Sequence, residues 1–189
     1  MGLHAAAPVA GLGRRSAAYI VDSLIVGIAY ALLAVLFDAA FGPLVEATPD
    51  GTALVVIAVN PVRVVLELTA TLVIDALYFA GCWSRWGATP AQRVLRLRVR
   101  MADGTPPVPD APDALPIEAA WRRWAILAIV PIALGSLAAS GALDISVLLV
   151  VNGAWFLVLL ISTAVDPLRR GFHDRVAGTV VVPAPDGRA

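Results

Sequence analysis

Lysine is absent from this chain: all fourteen basic residues are arginine. Charge of either sign is scarce, at 15% of residues, and its formal sum is zero. A single cysteine, Cys82, excludes an intrachain disulfide and a cysteine-based metal cluster. Histidine occurs only at His4 and His173, so a zinc ion would have to draw most of its ligands from carboxylates. The chain also lacks a phosphate loop, a dinucleotide fingerprint and Cys/His metal spacing. Ser16, Ser23, Thr69 and Thr71 carry no nucleophile motif, and hydroxyls within apolar helices usually bond backbone or a neighbouring helix. The expectation is a protein that is not an enzyme, with no cofactor, no metal and no nucleic-acid partner. Arginine without lysine, beside abundant Ala, Val, Gly and Pro, suggests a GC-rich bacterial genome.

What the chain has instead is apolar length. Hydrophobic residues make up 59% of it, with a mean hydropathy of +0.82, against the 45–50% usual in soluble domains. Four runs are long enough to cross a bilayer: about 16–37, 62–83, 124–143 and 145–165. The first is 22 residues long with an acid inside, longer than the apolar region expected of a secretory or twin-arginine signal, so a membrane span is the expected reading. The expected fold is an all-α membrane protein of four transmembrane helices in two antiparallel hairpins, with a small cytoplasmic β element. A disordered lead covers 1–13, a membrane domain 14–183 and a disordered end 184–189. Within the domain lie a loop, 84–123, and a tail, 166–183. Thirteen of the fourteen arginines fall just before the first span, in that loop or in the C-terminal region. The positive-inside rule then puts both termini and the loop in the cytoplasm, with the plasma membrane as location.

The polar residues inside the spans are the candidate sites. Asp22 sits within the first span, where a carboxylate costs roughly 2.5–3.5 kcal/mol on insertion scales and is a functional or assembly site by default. Arg15 lies two turns earlier on the same face and is the expected partner; Arg170 or Arg175 from the tail is the alternative. In the second span Arg63, Glu67, Thr71 and Asp75 recur every four residues. Arg63 with Glu67 reads as an i,i+4 ion pair near the outer end. Asp75 lies deeper. Antiparallel helices could bring Asp22 and Asp75 together as a proton or cation relay, or Arg15 could neutralise Asp22 and lock the hairpin.

Outside the spans, Leu95 to Met101 alternates strictly between apolar residues and arginine, the period of a half-buried strand. Gly178 to Val182 is the second good strand candidate, and the two are expected to pair, since a lone strand leaves its backbone groups unsatisfied. Ala53 to Val59 is too short to span and reads as an interfacial or loop-packing segment. Ile117 to Trp124 reads as a short amphipathic helix with interfacial tryptophans. In the tail, Asp174 is expected to cap or pin the chain against an arginine.

Four pieces together resemble the RDD family of bacterial membrane proteins: Arg15 to Asp22 (RSAAYIVD), Gly87 to Arg93 (GATPAQR), Leu97 to Gly104 (LRVRMADG) and Arg169 to Val182 (RRGFHDRVAGTVVV). The resemblance implies that Arg15, Asp22 and Asp174 are the arginine and two aspartates of the family's name, and that Thr89, Pro90 and Arg93 form its cytoplasmic turn. Ala91-Gln92 stands where the family usually has Gly-Lys, which weakens any phosphate or headgroup role for that turn. The resemblance implies an integral membrane protein without a defined substrate, with transport proposed for some members. The leading expectation is an accessory or assembly subunit of a larger membrane complex; the alternative is a small oligomeric transporter or cation/proton-coupling protein using intramembrane carboxylates. Its expected partners are the lipid bilayer and either copies of itself or other membrane proteins.

Overall fold

The structure is a computed structural model describing residues 9–49, 55–104, 114–139 and 144–184. It is mostly helical. Three helices are long and apolar enough to cross a membrane: α1 (Leu12–Phe41), Pro61–Trp86, and Ser146–Val165 within α6 (Ile145–Val165). The Pro61–Trp86 rod is built from α2 (Pro61–Ala76), one wide π turn (Leu77–Gly81) and α3 (Cys82–Trp86). Asn60 starts it as N-cap, its side chain accepting Arg63 N–H at 3.1 Å, with Pro61 following at a position where no amide is needed. The fourth long helix, α5 (Ile117–Ala139), runs through Pro131 and opens with Glu118, Arg122 and Arg123. The expected short helix at 117–124 and the span from 124 are therefore one helix, and residues 140–143 lie outside the described ones.

The expected strand pair forms at one end of these helices. β3 (Leu97–Met101) and β4 (Thr179–Pro183) are antiparallel, in register Val99 to Val181. Leu97, Val99 and Val181 are fully buried, while Arg100 faces out, as the alternation requires. Leu95 and Arg96 fall outside the strand, and Arg96 turns the chain at φ +54°. Between the two strands in sequence lie α5, α6 and the short α7 (Phe172–Ala177). Gly178 ends α7 at φ +67°, a left-handed position that glycine takes without Cβ strain, and β4 starts at once. The lead also joins this cap. Ala10 is buried and donates to Val181 O at 3.1 Å, so order begins before residue 14, and residues 1–8 lie outside the described ones.

The cap strands are not the only strand pair, because β1 (Val45–Pro49) and β2 (Val55–Val59) form a second antiparallel pair at the other end of α1 and α2. The segment ending at Val59 is thus a strand. Its apolar run lacked alternation, but Pro49-Asp50-Gly51 before it is turn chemistry.

Candidate functional site

Helix α1 and the Pro61–Trp86 rod run antiparallel and are joined by three polar rungs. At the β1–β2 end, Arg63 is 3% exposed; its guanidinium reaches Glu67 at 3.3 Å, the expected i,i+4 pair, and also Asp38 and the Gly42 carbonyl. In the middle, Asp75 accepts Tyr30 Oη–H at 2.8 Å and Trp124 Nε1–H at 2.7 Å. Toward the cap, Asp22 accepts Tyr78 Oη–H at 2.7 Å. The α1 members, Asp22, Tyr30 and Asp38, are eight residues apart, about 12 Å of rise per rung. Asp22 and Asp75 therefore occupy different levels with separate donors, and the expected meeting of the two acids does not occur.

Asp22 is 1% exposed and tied to the turn after α3. Thr89 Oγ1 donates to it at 2.5 Å and the Ala91 amide at 3.2 Å. This is what the Thr89-Pro90 turn is for. Thr89 is the N-cap of α4 (Pro90–Val94), and its hydroxyl also accepts the Gln92 amide at 3.3 Å. Gln92 closes the box from the other side, its Oε1 accepting Thr89 N–H at 2.9 Å and Trp83 Nε1–H at 3.0 Å. Gln92, where the resemblance led one to expect lysine, serves as a buried acceptor in this cap. Arg93 lies outside it, its guanidinium 5.8 Å from the Trp86 ring centroid.

The expected Arg15–Asp22 pair is absent: Arg15 turns the other way. Its guanidinium donates to Asp174 and to the Arg169 carbonyl. Asp174, fully buried, is the hub of the cap. It also takes the Arg123 guanidinium, the Gly171 amide at 3.1 Å and Thr179 Oγ1–H at 3.2 Å, so α1, α5, α7 and β4 all meet on one carboxylate. Arg123 is 3% exposed, donates to Thr179 Oγ1 at 2.9 Å and lies 4.7 Å over the Trp83 ring. The tail reaches this position through a tight turn. Asp166 accepts the Leu168 and Arg170 amides at 3.0 and 2.9 Å, and the Arg170 amide first, then the Arg170 guanidinium and the Leu168 amide, hold its carboxyl below the usual range. Glycine is required at 171, because a Cβ there would lie 2.6 Å from His173 Cε1 and 2.7 Å from Thr163 Oγ1.

Sequence reasoning missed Tyr30, Tyr78, Trp124 and Arg123. The three aromatics count as apolar in a hydropathy reading, yet each spends its polar atom on a buried carboxylate. Arg123 falls in the basic 84–123 loop of the sequence reading, and its spacing does not mark it as the inward one of the Arg122-Arg123 pair.

Beside the hub lies a cavity of about 370 Å³, bounded by Arg15, Asp22, Arg123 and His173 and by apolar side chains of α1, α5 and α6. A second cavity of about 200 Å³ contains Asp75, Tyr30 and Ser23. Tyr19, Phe79 and Leu127 line both. Among the described residues, no group of three or more His, Cys, Asp or Glu side chains is placed to hold a metal.

His173 is 9% exposed, with Nε2 3.5 Å from the Asp174 carboxylate and Nδ1 without a partner. Burial, then the guanidiniums of Arg123 and Arg15, hold its imidazole well below the usual histidine range. The unfolded imidazole binds a proton near pH 6.5 and the folded one resists it, so the unfolded state carries more protons at lower pH. Stability is full above about pH 6.5 and falls below it by up to about 1.4 kcal/mol per pH unit. The melting midpoint in detergent should drop between about pH 7 and pH 5, and His173→Gln should flatten that drop. An unchanged slope in the variant contradicts a neutral His173.

A model of the RDD family matches residues 9–178 of the chain. No curated protein and no solved structure matches it.

Proposed function

The chain belongs to the RDD family, and from that premise we propose that it is a non-enzymatic accessory or assembly subunit of a larger membrane complex. It lies in the plasma membrane with four spans in two antiparallel hairpins, α5 serving as the third. The termini and the β3–β4 cap are cytoplasmic, an orientation the arginine distribution supports. The observation that carries this reading is where the side chains go. The carboxylates of Asp22, Asp75 and Asp174 turn inward onto donors of the same chain, while α1 and α6 turn apolar side chains outward, Leu36 at 66% and Val150 at 71% exposure. Such faces are suited to lipid and to partner helices, where small residues permit close approach. Gly153 lies on the outer face of α6 with nothing within 4 Å of its Cβ position. Purified in mild detergent, the wild type should elute with a second membrane protein or copy in fixed stoichiometry. Gly153→Leu should lose that company and melt unchanged. A wild type that elutes alone, as a single copy, contradicts the reading.

One observation favours the second reading, a small oligomeric transporter or proton-coupling protein. Asp75 has two neutral donors and lines its own cavity, which shares walls with the larger one toward the cap. In that case Asp75→Asn should abolish pH-dependent flux in proteoliposomes while the protein accumulates normally; unchanged flux removes it.

A further inference from the structure

The 370 Å³ cavity is within the size range of small-molecule sites, and its lining is asymmetric. At the cap it meets two guanidiniums, Arg15 and Arg123, which share the single carboxylate of Asp174. Asp22 also borders it, but that carboxylate is engaged by Tyr78, Thr89 and the Ala91 amide. The Nε–H of Arg123 is buried, on a residue 3% exposed, and has no acceptor. A buried charged donor left without an acceptor is costly, and natural structures rarely leave one so. The α6 wall is mostly hydrocarbon, Phe156, Leu159 and Leu160 beside Thr163. An inorganic anion would satisfy the guanidinium and leave this wall unused. A neutral hydrocarbon would do the reverse.

We propose that the cavity binds an amphiphilic anion, its carboxylate or phosphate head at the Arg15 and Arg123 guanidiniums and its acyl chain along the α6 wall. The same chemistry can come from a single-chain fatty acid or from an anionic phospholipid. Both would enter beside α6, the helix whose remaining surface is apolar and exposed. Binding ties α6 to the Asp174 hub, so the ligand acts as a structural filling between the last long helix and the cap.

The test is the melting midpoint of the full chain in a neutral detergent. Laurate and dodecyl phosphate should raise it by several degrees in a concentration-dependent manner, because a ligand of the folded state alone stabilises by mass action. Dodecanol and inorganic phosphate should not. Phosphatidylglycerol, compared with phosphatidylcholine in vesicles, separates the sources: a shift with laurate alone assigns a single-chain anion, and a shift with phosphatidylglycerol a bilayer lipid. Two variants check the place. Arg123→Lys keeps a cation for Asp174 but removes the guanidinium fork, and should lose the shift. Ser16→Phe fills the cavity from the α1 side, leaves the hub intact, and should also lose it. Equal shifts with dodecanol, or a full shift in Ser16→Phe, overturn the proposal.

Discussion

Asp174→Ala should remove most of the folded protein. The carboxylate is fully buried and is the acceptor for Arg15, Arg123, Gly171 N–H and Thr179 Oγ1–H. Deleting it strands two guanidiniums, of which Arg123 has almost no access to solvent. Breaking a buried ion pair from one side costs about 3–5 kcal/mol, chiefly because the abandoned charge stays buried. Against a total stability of about 5–15 kcal/mol, that is a large share. The variant should yield little monodisperse protein in mild detergent, with a melting midpoint well below wild type. Arg15→Ala should be milder, since Arg123 still neutralises the carboxylate. If Asp174→Ala purified in normal yield and melted like wild type, the hub would not hold the cap together.

Asp22→Ala should be the second most damaging substitution, and Asp22→Asn should rescue much of the loss. In the alanine variant Tyr78 Oη–H, Thr89 Oγ1–H and the Ala91 amide lose their acceptor together, at about 1–3 kcal/mol for each donor left buried and unsatisfied. The Thr89 turn would then be free of α1, and α4 with it. Asparagine keeps one oxygen, enough for Tyr78 and Ala91, and its amide can face Thr89 Oγ1, which can accept. Yield and melting midpoint of the two variants measure this directly. Equal damage from both would mean that the negative charge itself is required, which the hydrogen-bond account does not predict.

The sequence makes the spans legible because helices in a bilayer must satisfy their own backbone groups, leaving long apolar runs as a direct trace. The β3–β4 pair is legible for a related reason: LRLRVRM alternates, and a strand without a partner is unstable. The pairings of the carboxylates were much less visible. Arg15 is seven residues from Asp22 and 159 from Asp174, so proximity along the chain favoured the wrong acid. What decides the matter is the turn at Asp166 to Gly171, which folds the tail back so that Asp174 comes under the head of α1; no periodicity encodes that return. Asp22 needed no cation because tyrosine, threonine and a backbone amide surround it, and those donors are spread over Tyr78, Thr89 and Ala91 on two other segments. The resemblance named Arg15, Asp22 and Asp174 together as the arginine and two aspartates of the family. It did not say that the arginine belongs to the second aspartate and the first belongs to the Thr-Pro turn.

A pair of double-mutant cycles tests this division of partners. Unfolding free energies in detergent would be measured for Arg15→Ala, Asp174→Asn, Asp22→Asn and the two doubles containing Arg15→Ala. Residues in contact couple by about 0.5–3 kcal/mol, whereas independent sites add within about 0.5 kcal/mol. Arg15 should couple to Asp174 by more than about 1 kcal/mol and be additive with Asp22. Strong coupling of Arg15 to Asp22, with additivity toward Asp174, would contradict it.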